Sequence, residues 1–216
     1  MTENHLASLE ILPDYLGQSS WWQHVSIAHW LITEIKPKTV VELGTHYGVS
    51  FFAMCEAARQ YSSETFIYAI DLWQGDNHTG KYGSEVFDKV RPHWVQTHKI
   101  RSRLIKSSFD KALSHFPINS IDLLHVDGLH TYEQCQKDVI NSIHSISSEG
   151  IILIHDLLPK NRFQERIPRI QDVWNGDIWK VAVELNNSKN IKFKIANIDH
   201  GIGIVKCEKN FDYVKM

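Results

Sequence analysis

Short apolar stretches closed by glycine, proline or acidic residues alternate along the chain with longer segments in which apolar side chains return every three or four positions. The first pattern suits buried strands and the second amphipathic helices, so their alternation predicts β-α-β units around a mostly parallel sheet. Residues 39–43, short and β-branched between Pro37 and Gly44, give the first strand. Further strands are expected at 65–70, 101–106, 121–126 and 151–154. Helices are expected at 50–61, with Phe52, Cys55 and Ala58 on a buried face, at 85–96, and at 108–115, begun by Ser107 or Ser108 and stopped by Pro117. A further helix is expected at 131–147, with Tyr132, Cys135, Val139, Ile143 and Ile146 on one face. The stretch 72–84 is polar, glycine-bearing and longer than an ordinary connection, which marks a functional loop.

After Pro159 the pattern changes. Segments 192–198 and 202–205 read as strands joined only by Asp199, His200 and Gly201, and so short a link requires an antiparallel hairpin. Upstream, Ile170, Val173, Trp174, Ile178, Val181 and Leu185 keep a roughly helical spacing, although Gly176 weakens it and 179–185 would also pass as a strand. Helix is the expectation there. The predicted architecture is a doubly wound α/β fold over residues 39–216, preceded by a helical extension or lid over 1–38.

Composition narrows the functions open to such a fold. The chain of 216 residues is long enough for a substantial core and too short for two independent enzymatic domains. A net charge of -2 with scattered Lys and Arg disfavours a nucleic-acid partner. The three cysteines, Cys55, Cys135 and Cys207, have no disulfide or zinc spacing, which fits a reducing cytoplasmic setting. No leader pattern and no apolar run near the ~18 residues of a membrane span are found, so a soluble protein is expected. Thirteen histidines are many, and most, such as those at 96–99 and His144, read as solvated surface residues.

The chemistry concentrates at strand ends. Gly44 and Gly48 sit at the junction of the first strand and first helix, where open α/β sheets bind nucleotide-like ligands. Gly44 lets the backbone pass close to a ligand. Asp71, ending the second strand, is placed to accept from ribose hydroxyls. A third glycine is missing, and bulky His46 and Tyr47 occupy the turn, so a pyrophosphate is not expected. A Glu42 carboxylate facing the turn would also repel phosphate and favour a cationic ligand. The bland alternative is a strand-turn-helix corner that merely needs glycine.

The ordered set E-L-G-T-H-Y-G (Glu42 to Gly48), I-D-L-W (Ile70 to Trp73), V-D-G-L-H-T-Y-E (Val126 to Glu133) and I-H-D (Ile154 to Asp156) resembles the class I S-adenosylmethionine-dependent methyltransferases. More narrowly, it is similar to the family 24 branch that includes small-molecule and sugar O-methyltransferases. The resemblance implies a Rossmann-like sheet of seven strands with an antiparallel last strand. It implies that Glu42, Gly44, Thr45, His46, Tyr47, Gly48 and Ser50 lie about the methionine portion of the cofactor and that Asp71 binds its ribose. Trp73 would cover the adenine face, and Ser107, Ser108 and Phe109 would lie at the adenine edge. Asp127, at the end of the fourth strand, would stand where methyl donor and acceptor meet.

His130 is then a candidate general base, its ordinary pKa lying near working pH, with Asp127 and His155 as its catalytic companions. Metal-dependent relatives place an acid at the Asp127 position and an acidic pair at 155–156. The corresponding metal set here is Asp127, His155 and Asp156. His155 replaces one of those acids and Leu129 another acidic position, which moves the preference from magnesium towards manganese, iron or zinc.

The expected function is O-methylation of a small hydroxylated acceptor such as a sugar, by a chain that a homo-oligomer would also suit. The rivals are a nicotinamide-dependent oxidoreductase and a non-catalytic domain that keeps the fold and binds a glycan or a protein. A second aromatic cluster, Trp21, Trp22, His24, His29 and Trp30, precedes the first strand. Trp30 is expected to pack on the sheet and Trp21 and Trp22 to offer a lid.

Overall fold

The computed structural model describes residues 13–77, 79–188 and 191–207. Seven strands build the main sheet: β1 (Thr39–Leu43), β2 (Phe66–Asp71), β5 (Ser102–Lys106), β6 (Ile121–Val126), β7 (Ile146–His155), β8 (Ile191–Ala196) and β9 (Ile202–Cys207). The short strands β3 (Gly75–Asp76) and β4 (Gly80–Lys81) form a separate ribbon within the loop after β2. The main order is β5-β2-β1-β6-β7-β9-β8. The pairs from β5 to β7 are parallel, whereas β9 runs antiparallel to both β7 and β8. The expected seven-stranded α/β sheet with its C-terminal hairpin is therefore the observed fold.

The unbroken apolar runs of the inner strands follow from burial on both faces. Along β1, Val40 turns to one core and Val41 to the other. Helices α1 (Val25–Ile35), α2 (Val49–Tyr61) and α3 (Glu85–His93) cover the first face. Helices α4 (Phe109–Leu113), α5 (Tyr132–Ser142) and α6 (Trp179–Asn187) cover the second. The strand order reverses at β1, with β2 on one side and β6 on the other, and this opens a crevice at their carboxyl ends.

Three elements differ from expectation. The helix predicted to 147 ends at Ser142, and Ile146 begins β7, paired with Ile121 ahead of a register shift. Ile146 joins the same core as Val139, which is why its spacing read as helical. The helix predicted to 96 is α-helical only to His93 and continues as a π turn over Trp94–His98. Pro92 stands inside its last turn, where it has no N–H to donate. The helical spacing from Ile170 does not form a helix before Trp179, because Gly176 adopts φ +61° and residues 158–178 run irregularly, leaving Ile170 and Val173 exposed.

At the amino-terminal side a 3-10 turn, Trp21–His24, leads into α1 and buries Trp21, while Trp22 stays at the surface and Trp30 packs on the first core. Residues 1–12 of the expected extension lie outside the described residues. Among the described residues no helix is long and apolar enough to cross a membrane.

Candidate functional site

The crevice is built where three strand ends meet. Leu43 accepts from the Asp127 N–H at 2.9 Å, and the Gly44 N–H donates to Ile70 at 3.0 Å, which ties β1 to β6 and β2 just beyond their ends. Gly44 has φ +92°, and a Cβ there would stand 2.0 Å from the Asp127 carbonyl oxygen, so only glycine lets the two turns touch. Asp71 fastens the turn. Its Oδ2 accepts from the Thr45 and His46 N–H groups at 3.0 and 2.9 Å, and its Oδ1 from the Trp73 N–H at 2.7 Å. These bonds hold His46 at φ +47°. A carboxylate has roughly four acceptor positions, so one remains for a ligand hydroxyl.

A cavity of about 730 Å³ opens over this turn, within the usual range for small-ligand sites. Gly44, Thr45, His46, Tyr47 and Ser50 line one side with Asp71, Ser108 and Phe109 stand at the edge, and Asp127 and His130 face them. Gln18 to Trp21 close another wall. The carboxylates of Asp71, Asp76, Asp110, Asp127 and Asp172 outnumber Lys137 and Arg169 on the lining, and Lys137 lies 2.6 Å from Asp110. Such a field favours a cationic ligand over a pyrophosphate.

Several expected site residues lie behind the wall. Glu42 is fully enclosed, accepting from Ser50 Oγ at 2.5 Å and pairing with His125 Nδ1 at 3.0 Å, so it reaches the cavity only through Ser50. His125 is its cross-strand neighbour in β6 and was not singled out from the sequence. A histidine inside an otherwise apolar strand was the available signal, because a buried polar group needs a partner. Trp73 is fully buried at φ +47°, donates Nε1–H to the His46 carbonyl at 3.0 Å and packs on Phe87, so it anchors the turn and does not line the cavity. Gly48 starts α2, and the Ser107 N–H donates to the Asp71 carbonyl at 3.1 Å. Neither lines the cavity.

His130, His155, Asp127 and Asp156 come together at the wall of the cavity that Asp127 and His130 line. His130 Nε2 is 3.2 Å from Asp127 Oδ1, and its Nδ1 is 3.1 Å from Asp156 Oδ2 and 3.3 Å from the Trp174 carbonyl. Gly176, at φ +61°, presses so closely on the His130 carbonyl that a Cβ would overlap it at 1.7 Å, which fixes the loop carrying the imidazole. His155 Nδ1 lies 3.2 Å from Asp127 Oδ1 and 3.3 Å from Asp156 Oδ1. His24 Nε2–H donates to the Ile198 carbonyl at 2.9 Å, leaving its Nδ1 to accept from His155 Nε2–H at 3.1 Å. Trp21 packs among His24, His125 and His155.

Burial opposes charge throughout this group, yet the paired carboxylates and imidazoles prevail. Attraction to Asp127 and Asp156 raises His155 well above the ordinary imidazole value, and the same two acids raise His130. In return, His155 and His130 hold Asp127 well below the carboxylate range, and Asp156 is lowered too. His24 has no such carboxylate at hand, and burial lowers it.

The same geometry is compatible with a divalent ion. One donor atom each from Asp127, His130 and His155 lie within 4.8 Å of one another. Each imidazole directs its other nitrogen to an orienting partner, His24 for His155 and Trp174 or Asp156 for His130, as histidine ligands do. Of the expected set Asp127, His155 and Asp156, the first two converge with His130, while Asp156 lies 3.1 Å from His130 Nδ1 and 3.3 Å from His155 Nδ1. Mixed nitrogen and oxygen donors suit manganese, iron or zinc.

Comparison with known proteins agrees with this architecture. The family model described as Methyltransferase domain, that of methyltransferase family 24, matches residues 41–157. An uncharacterized protein, y4gI, of Sinorhizobium fredii is 41% identical over 138 residues, covering 64% of this chain. The chain spans only 15% of that relative's length. Among solved structures, the SAH-bound methyltransferase PaMTH1 of Podospora anserina superposes with a TM-score of 0.66 at 19% identity, over 96% of this chain and 87% of its own. The O-methyltransferase TomG of Streptomyces achromogenes, solved with SAM, gives 0.63 at 11% identity, over 96% and 91%. The match runs from within β1 through the glycine turn to just past the end of β7, and on it the chain belongs to the Methyltransferase domain family.

Proposed function

We propose that this chain is an S-adenosylmethionine-dependent O-methyltransferase acting on a small, polar, hydroxylated acceptor, of which a sugar or sugar-linked metabolite fits best. The observation that carries the reading is the pairing of two walls in one cavity: the glycine turn fastened by Asp71 on one side and His130 with Asp127 on the other. S-adenosylmethionine supplies an electrophilic methyl group on a sulfonium. The Gly44 to Tyr47 turn holds its methionine portion, the remaining acceptor position of Asp71 takes a ribose hydroxyl, and Ser108 and Phe109 border the adenine. The acidic lining suits the cationic donor and hydrogen-bonds a polyol.

His130 accepts the proton of the acceptor hydroxyl, and Asp127 and Asp156 orient the ring and stabilise its protonated form. Holding acceptor oxygen and methyl donor in one enclosure supplies the rest by orientation. Gln18 to Trp21, within the extension over residues 1–38, act as the cover of this chamber. A second reading, favoured by the donor geometry of Asp127, His130 and His155, places a divalent ion there to acidify the acceptor hydroxyl.

Native mass spectrometry and calorimetry test the proposal directly. S-adenosylmethionine or S-adenosylhomocysteine binds, and NADH does not. Asp71→Ala weakens that binding, whereas His130→Ala leaves it within about threefold and lowers turnover on a competent acceptor by roughly 10²- to 10⁴-fold. Failure of both sulfur compounds to bind overturns the reading.

A further inference from the structure

We propose that Asp14, His93 and His98 form a site for a divalent ion of the zinc type, separate from the methyl-transfer cavity. None of the three lines that cavity. The site joins the segment before Trp21 to the end of α3 and the π turn that follows it.

The π turn makes the site possible. Residues five apart on an α-helix point about 140° away from each other. Widening the helix to i→i+5 spacing between His93 and His98 returns both rings to one side. Stacking holds them there: Phe52 meets His93 edge-on at 4.7 Å and His98 at 5.5 Å, and Tyr15 lies 4.9 Å from His93.

The distances belong to a coordination shell rather than to hydrogen bonds. His93 Nε2 is 3.5 Å from Asp14 Oδ1 and His98 Nε2 3.8 Å from Asp14 Oδ2, both beyond the ordinary N–H···O range of about 2.7–3.2 Å. Donors around a tetrahedral zinc ion, with bonds of about 2.1 Å, stand about 3.4 Å apart. One donor atom from each of the three residues lies within 4.8 Å of the others. Both Nε2 atoms are buried without a hydrogen-bond partner, and the His98 side chain is only 3% exposed.

Two imidazole nitrogens and one carboxylate favour zinc and its neighbours over magnesium or calcium. Arg59, half exposed, lies 3.8 Å from Asp14 Oδ2 and swings to solvent when the ion takes that oxygen. Glu56, accepting from the Asp14 N–H at 3.1 Å, keeps the segment in place. An ion here clips residue 14 to the π turn, four residues before Gln18, where the cavity wall begins.

The test uses the full chain, stripped with EDTA and titrated with ZnCl₂ and with CoCl₂, whose visible spectrum reports tetrahedral N/O ligation. The Asp127→Asn chain, lacking the other Asp-His-His set, binds one equivalent of zinc. His93→Ala and Asp14→Asn each weaken that binding by about a hundredfold or more. Zinc raises the thermal midpoint of the Asp127→Asn chain by several degrees, roughly as ligand linkage requires, and leaves that of the same chain carrying His93→Ala unmoved. His93 is the more exposed of the two rings, so its removal spares the core, and a cooperative melt in EDTA confirms folding. Wild-type zinc affinity in both site variants overturns the proposal, as does a wild-type or Asp127→Asn chain that binds no zinc.

Discussion

Among the described residues, two groups of one aspartate and two histidines stand apart, and burial has opposite outcomes in them. At the cavity wall, Asp127, His130 and His155 share the company of a second carboxylate, Asp156, at about hydrogen-bonding distance, and both imidazoles are raised. Beside the end of α3, Asp14 is a single, partly exposed acid 3.5 to 3.8 Å away, and desolvation lowers His98 to about 4. Burial is common to both. Counter-charge within contact distance decides whether a buried histidine keeps a proton or a lone pair. The first group is therefore equipped to take and hold a proton, and His98 to donate an electron pair.

The largest effect follows from breaking the first group. Asp127→Ala leaves two raised imidazoles against one carboxylate in a fully buried place. Removing one partner of such a set costs about 3–5 kcal/mol, because the remaining charge loses its compensation. Both histidines should then fall towards neutral, methyl transfer should collapse, and urea unfolding at pH 7 should show the lost stability. Unchanged imidazole titration in the variant, followed by NMR, would mean that Asp156 alone sustains the charges and that the comparison rests on one acid too many.

How much of this could be read from the chain differs between the two groups in the same way. The glycine turn, Asp71, Asp127 and His130 sit at ends of strands whose apolar runs are plain, and the doubly wound order places strand ends together. The expected sheet and the cavity wall therefore follow from local pattern and topology. Glu42 and Trp73 had the right positions and a wrong orientation: a strand's alternation tells which face a side chain takes, whereas His125 and Phe87, which hold these two, come from distant segments. The group at Asp14 was out of reach. His98 lies in a polar run that reads as surface, and only the π turn after Pro92 and the return of residue 14 across α3 bury it.

Acid should discriminate between the groups next. His29 and His98 both fall to about 4, chiefly through burial, against an unfolded value near 6.5. The unfolded chain binds more protons between these values, so the stability these residues confer is complete above about pH 6.5. It is lost as pH falls towards 4, at up to about 1.4 kcal/mol per pH unit for each group. Urea midpoints measured from pH 7 to pH 5 should decline accordingly. His29→Phe, which fills the site of a ring whose two nitrogens lack hydrogen-bond partners, should flatten the slope by one proton. Zinc in excess holds its folded ligands unprotonated while the unfolded chain still takes up protons, so it should steepen the slope, and an unaltered slope with zinc would mean that the ion is not bound there.

The smallest effect comes from a carboxylate that has burial without any imidazole. Asp138 is 1% exposed, accepts from Gln134 Nε2 at 2.7 Å through Oδ1, and has no hydrogen-bond partner for Oδ2. Desolvation raises it to about 7, the reverse of Asp127 with its two histidines. Here the folded state binds the extra proton, so stability declines as pH rises from about 4 to 7. Asp138→Asn keeps the shape and removes the charge, and should stabilise the chain by about 1–2 kcal/mol at pH 8 while making little difference at pH 4. If the variant instead gains equally at both pH values, its benefit is packing, and the contrast between paired and unpaired buried carboxylates loses its control.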